Sequence, residues 1–313
     1  MSANAALAPA IVAEKDEERG HRLRLTVAYT LTVILIAGLI IYGFNYYDLD
    51  SASRPFSPKH ALLRPSGVIG LKLGFLGVGM FLVIFLYPLR KRWPWLSRQG
   101  KARHWLDFHV LLGLAAPFII ALHSSFKFRG FAGMAFWIML AVSISGVVGR
   151  YLYGQIPRSL STAELSLKEA QEVRNHLAEH LERQKILPSA ELQSLLRLPT
   201  ADGVAQMPML VALAYMMLLD VTRKFRVARL RRHALEFPEK LTTLGGFLPT
   251  RHMQLEQAIR TASEEATLGK RILFLSRSQQ VFHLWHVVHK PFSYSFAVLA
   301  LIHIGVVMMM GFF

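Results

Sequence analysis

Four histidines carry the chemistry that this sequence makes available. His109 and His123 stand in the apolar segment Trp105–Phe126, and His289 and His303 stand in Phe282–Phe313. Each pair is fourteen residues apart. On an α-helix, fourteen steps return a side chain to within about 40° of the same face, some ~21 Å further along. A hydrocarbon core is about 30 Å thick, so such a helix sets one imidazole near each side of a bilayer. Polar groups inside a membrane are costly and mark function by default. Neutral imidazole suits haem iron, and two axial histidines give a six-coordinate centre that passes single electrons and leaves no position for substrate. Two helices of this kind, side by side, make two stacked bis-imidazole sites. The competing reading is that these histidines only hydrogen-bond within a bundle or line a proton path, and the identical spacing on two helices argues against it.

The frame around them is apolar and basic. Of 313 residues 53% are hydrophobic, and the formal net charge is +16. Apolar runs of twenty residues identify an integral membrane protein. The excess Lys and Arg lies beside those runs, as the positive-inside bias requires, and not in a nucleic-acid-binding module. Nucleic acid is therefore excluded as a partner. There is no cysteine, which removes disulfides, thiolate-bound Fe–S clusters and covalently attached c-type haem. The first residues are polar and the first apolar run is long enough to span, so no cleavable signal peptide is expected.

The expected fold is all-α: an integral membrane helical bundle of about five transmembrane helices with a cytoplasmic helical insert. Residues 1–24 read as a cytoplasmic tail, 25–153 as a four-helix transmembrane part, 154–280 as the insert and 281–313 as the helix completing the bundle. Spans are expected at Leu25–Phe44, Val68–Tyr87, about 105–126, Phe131–Tyr153 and Phe282–Phe313. Gly70, Gly74, Gly77 and Gly79 give the second a smooth face for close packing. The basic stretch Pro88–Arg103 fixes the topology, with the N-terminus inside and the C-terminus outside. The third and last spans then run in the same direction, so His109 levels with His289 on the inner side and His123 with His303 on the outer. In the insert, Ser161 and Glu164 form a capping box, and Pro188 breaks the pattern. Met207–Leu219 is short for a span and reads as a buried or interfacial helix with a basic end, with a sixth crossing as the alternative.

Around the inner haem, His286 is an alternative ligand to His289, because His283, His286, His289 and Pro291 crowd one stretch. Arg103, His104 and Arg150 are placed for the inner propionates, and Lys127 or Arg129 for the outer. Interfacial anchoring explains those cations equally well.

On these residues the chain resembles the di-haem transmembrane cytochromes b, most closely the ferric-reductase-like membrane domain. That domain carries H-x13-H pairs on its third and fifth spans, where His109/His123 and His289/His303 fall. The resemblance covers roughly 68–153 and 282–313. It implies a membrane cytochrome b subunit with two non-covalent b-type haems. Such a subunit carries electrons between a quinol pool or cytoplasmic donor and an extracytoplasmic acceptor such as a c-type cytochrome. Family members continue into a flavin and nicotinamide domain, whereas residues 154–280 contain no G-x-G-x-x-G. A flavin or Fe–S subunit is thus expected as a separate partner, in a bacterial inner membrane, with a quinone site near the inner haem as a further expectation. A ferric or metal reductase and a non-redox scaffold are the alternatives.

Overall fold

The computed structural model describes residues 3–157, 194–234, 243–250 and 252–311, with scattered positions between 168 and 179; side chains are described from Glu17 onward. The expected capping box at Ser161 and the break at Pro188 lie outside the described residues. In chain order the helices are α1 (Ala3–Tyr47), α2 (His60–Leu63), α3 (Val68–Arg90), α4 (Pro94–Ser97) and α5 (Ala102–His123). They continue as α6 (Gly130–Gln155), α7 (Ala201–Gln206), α8 (Met209–Ala234), α9 (Met253–Leu273) and α10 (Leu275–Met309). No strand occurs among the described residues.

Five stretches are long and apolar enough to cross a membrane: Glu17–Tyr47, His60–Arg90, Ala102–His123, Gly130–Gln155 and Leu275–Met309. The protein is an all-α membrane bundle whose apolar outer faces meet lipid. Two boundaries differ from the sequence reading. The N-terminal tail and first span form the single helix α1, and the last helix starts at Leu275, not at Phe282. The first extension stays helical through Gly20, and the second, Leu275–Val281, contains neither Gly nor Pro. The chain divides into two compact units, Met1–Val148 with Val287–Phe313, and Gly149–His286.

In the first unit, α3 and α5 pack in antiparallel register. His109 of α5 meets Ile84, and His123 meets Gly70. Lipid offers no hydrophobic drive for helices to associate, so close approach of small residues matters. A side chain at Gly77 would strike Ile120, and α5 contributes Ala115, Ala116 and Ala121 to a core shared with Leu73, Met80, Phe136 and Met139. Pro117 lies inside α5 and cannot donate to the carbonyl of Gly113. Ser143 of α6 supplies that carbonyl with a hydrogen bond at 2.8 Å. In a membrane, where water cannot satisfy a freed carbonyl, such a substitute donor is what makes the proline tolerable.

The ends of α1 and α5 are fastened by one buried cation. Arg54 donates to the carbonyls of Leu49, Tyr47 and Ser125 at 3.0, 2.8 and 2.5 Å. These include carbonyls that a helix C-terminus leaves without partners, and positive charge suits that end of the dipole. Ser125 in turn donates its hydroxyl to the carbonyl of Leu63 at 2.7 Å.

In the second unit, α8 and α9 are antiparallel. Arg231 pairs with Glu256 through two hydrogen bonds of 2.8 and 2.7 Å, and Lys270 reaches both oxygens of Asp220 at 2.5 Å. Lys270 is almost wholly buried, and burial pulls its ammonium below the usual lysine range although Asp220 opposes this. Tyr151, at the end of α6, donates to the same carboxylate at 2.8 Å.

Candidate haem-binding site

The four expected ligands all lie in the first unit, two on α5 and two on α10. His123 closes α5. Its Nδ1 is 2.8 Å from the carbonyl oxygen of Gly70 on α3. The ring lies over Gly74, where an added Cβ would be 2.8 Å from its Cε1. His109 sits four turns earlier, with its Nδ1 3.1 Å from the carbonyl oxygen of Ile84 and its ring beside Tyr87. That carbonyl is the one Pro88, inside α3, leaves without an i+4 donor.

A carbonyl oxygen only accepts hydrogen bonds. Nδ1 is therefore the protonated nitrogen in both rings, and Nε2 carries the lone pair. His289 reaches the same state by another route. Its Nδ1 is 2.7 Å from the hydroxyl of Ser145, whose own hydrogen goes to the carbonyl of Val142 at 2.8 Å. The hydroxyl must then accept from His289.

His303 lies near His123. Further back along α10, Phe296 packs edge-on against Phe81 of α3, with ring centroids 5.7 Å apart. Phe296 thus meets α3 at Phe81, and His303 comes to the level of Gly70. So α10 runs against α3 and with α5, the relative direction the charge pattern requires. His289 and His109 each stand fourteen residues before the His303–His123 pair.

The remaining expected residues are distributed as follows. His286 belongs to the second unit, packed edge-on against Phe282 and Trp285 with centroids 5.1 Å apart in each case. Arg150 is also in that unit. Arg103 pairs with Glu18 at 2.9 Å, and Lys127 and Arg129 are exposed. Pro291 is interior to α10, neither its start nor its end.

One cluster escaped the sequence reading. His21 of α1 is buried, with its Nε2 3.1 Å from Oδ2 of buried Asp107. His104 stacks on His21 with centroids 3.6 Å apart and planes 14° from parallel. Glu17 and Glu18 of α1 pair with Lys101 and Arg103 beside it. The signal was the spacing of Glu17, Glu18 and His21 on one helical face, acidic residues complementary to the basic stretch that holds Lys101 and Arg103.

The donors are neutral imidazoles, the kind of axial ligand that b-type haem iron takes. Histidines with Nδ1 committed to an acceptor present Nε2 to a metal, and that second hydrogen bond orients the ring and raises its basicity. Among the described residues no three His, Asp or Glu side chains converge as on a bare metal ion. Haem iron needs only two. Comparison with family models, curated proteins and solved structures finds no match to this chain.

Proposed function

We propose that this chain is a membrane cytochrome b subunit that carries electrons across the bilayer through two b-type haems. His109 and His289 hold one, and His123 and His303 hold the other. The observation that carries the reading is the shared tautomer: His109, His123 and His289 each commit Nδ1 to an acceptor on a neighbouring helix. Residues that merely hydrogen-bond within a bundle have no need to keep the same nitrogen unprotonated. Bound haem supplies reversible one-electron chemistry at iron. The chain's residues fix the imidazole planes, through Ile84, Gly70 and Ser145, and surround them with apolar side chains that exclude water. His289 is favoured over His286, whose ring is packed among aromatic residues of the second unit.

In this proposal the basic Pro88–Arg103 stretch is cytoplasmic, with His109 and His289 on that side and His123 and His303 on the other side of a bacterial inner membrane. Electrons pass between a quinol or cytoplasmic donor and an extracytoplasmic acceptor, a c-type cytochrome or comparable redox subunit. The test is a reduced-minus-oxidised spectrum with a pyridine haemochrome count, on the wild type and on His109→Ala and His123→Ala. Two b haems per chain, falling to one in each variant, are expected. A colourless protein, or a count unmoved by both substitutions, overturns the reading and leaves a non-redox scaffold.

A further inference from the structure

Within the second unit, α8 has two unlike faces. One is buried: Met216 accepts a hydrogen bond from Ser278 at the start of α10, and Asp220 accepts from Tyr151 at the end of α6. The other is exposed and apolar, with Leu210, Ala214, Met217, Leu218, Val221 and Phe225 recurring at helical spacing. Leu210, Leu218, Val221 and Phe225 are each more than half exposed. Phe247 continues the stripe, edge-on to Phe225 with centroids 5.8 Å apart. Lys224, Arg229 and Arg232 are exposed at its C-terminal end.

From this juxtaposition we propose that α8 lies on an anionic lipid surface, with its apolar stripe at the acyl boundary and Lys224, Arg229 and Arg232 among the phosphates. Three features select lipid as the occupant. Within its unit the helix is bonded to Tyr151 and Ser278, which belong to α6 and α10, two helices long and apolar enough to cross a membrane. An apolar stripe ending in cations is the pattern that interfacial helices present to anionic headgroups. The apolar part, Met209–Leu219, spans only about 17 Å at 1.5 Å per residue, short of the ~30 Å needed to cross. The inference is independent of the haem reading, since it uses only the helices and their exposed faces.

The absence of cysteine from the sequence makes single labels simple to place. Leu218→Cys, Phe225→Cys and Arg229→Cys, each carrying a nitroxide, are to be measured in the full chain in phosphatidylglycerol and in phosphatidylcholine nanodiscs. Collision with oxygen is expected to exceed collision with a water-soluble nickel chelate at positions 218 and 225. The ratio inverts at 229, and the contrast is stronger in phosphatidylglycerol. Predominant nickel collisions at 218 and 225 overturn the proposal by placing the face in water. Labels at 218 and 225 shielded from both agents also overturn it, by showing a protein partner or second copy there. A bilayer-centre depth at 218 overturns it in favour of a sixth crossing. Unchanged size-exclusion behaviour shows that each variant is folded.

Discussion

His109 donates from Nδ1 to the carbonyl of Ile84 at 3.1 Å, and Ile84 is the residue four positions before Pro88 in the same helix. The proline removes the N–H that would normally bond this carbonyl and so exposes it to a neighbouring helix. Pro88→Ala restores the intrahelical donor, which then competes with the imidazole. The expected result is a haem held by His109 less tightly and with a wider spread of ring orientations, while the His123 site is unaffected. Low-temperature EPR of the oxidised protein checks this, because the low-spin g-values report the relative imidazole planes. An unchanged pair of signals would show that Pro88 does not position His109.

The placing of the His123 ring, the outer ligand in the proposed reading, depends on the absence of a side chain at Gly74. Gly74 faces the His123 ring, whereas an added Cβ at Gly79 meets nothing within 4 Å. Gly74→Leu is therefore expected to lower the haem count from two to one, and Gly79→Leu to leave it at two. Pyridine haemochrome analysis separates them. Equal counts in the two variants would detach the glycine face from the haem site.

The helix count, the histidine spacing and the smooth glycine face were legible because each is a one-dimensional pattern along a single helix. The partners of the histidines were not. Gly70, Ile84 and Ser145 act through backbone carbonyls or a lone hydroxyl, groups that nearly every sequence segment also offers. Pro88 looked like a span terminus because proline usually ends a helix, yet α3 continues through it to Arg90. His21 was hidden by reading residues 1–24 as a tail, when helix α1 runs through them and carries His21 onto Asp107.

That His21–Asp107 contact joins α1 to α5, and both side chains are buried. Removing one partner of a buried pair strands the other and typically costs about 3 kcal/mol or more. Asp107→Ala is expected to lower the thermal midpoint in detergent markedly. The double variant His21→Leu with Asp107→Leu should regain part of the loss, since apolar replacement of both members leaves neither half of this pair stranded. If the double variant is as unstable as the sum of its parts, the two residues do not act as a pair.

The Arg231–Glu256 pair sets an acid limit on the second unit. Burial pushes the Glu256 carboxyl up, but the Arg231 guanidinium and the Thr250 N–H, bonded at 2.9 Å, outweigh it and hold the group below its ordinary value of 4.5. A carboxylate whose folded value is depressed binds protons more readily when unfolded. Its contribution to stability is therefore fully present above pH 4.5 and is lost as pH falls through the lower folded value. Glu256→Gln removes this term, so its stability should be lower than wild type at neutral pH and flatter with pH in the acid range. Hydrogen exchange of α8 and α9 amides at pH 7 and pH 4 provides the measurement. Parallel pH dependence in both proteins would assign the acid sensitivity to other carboxylates.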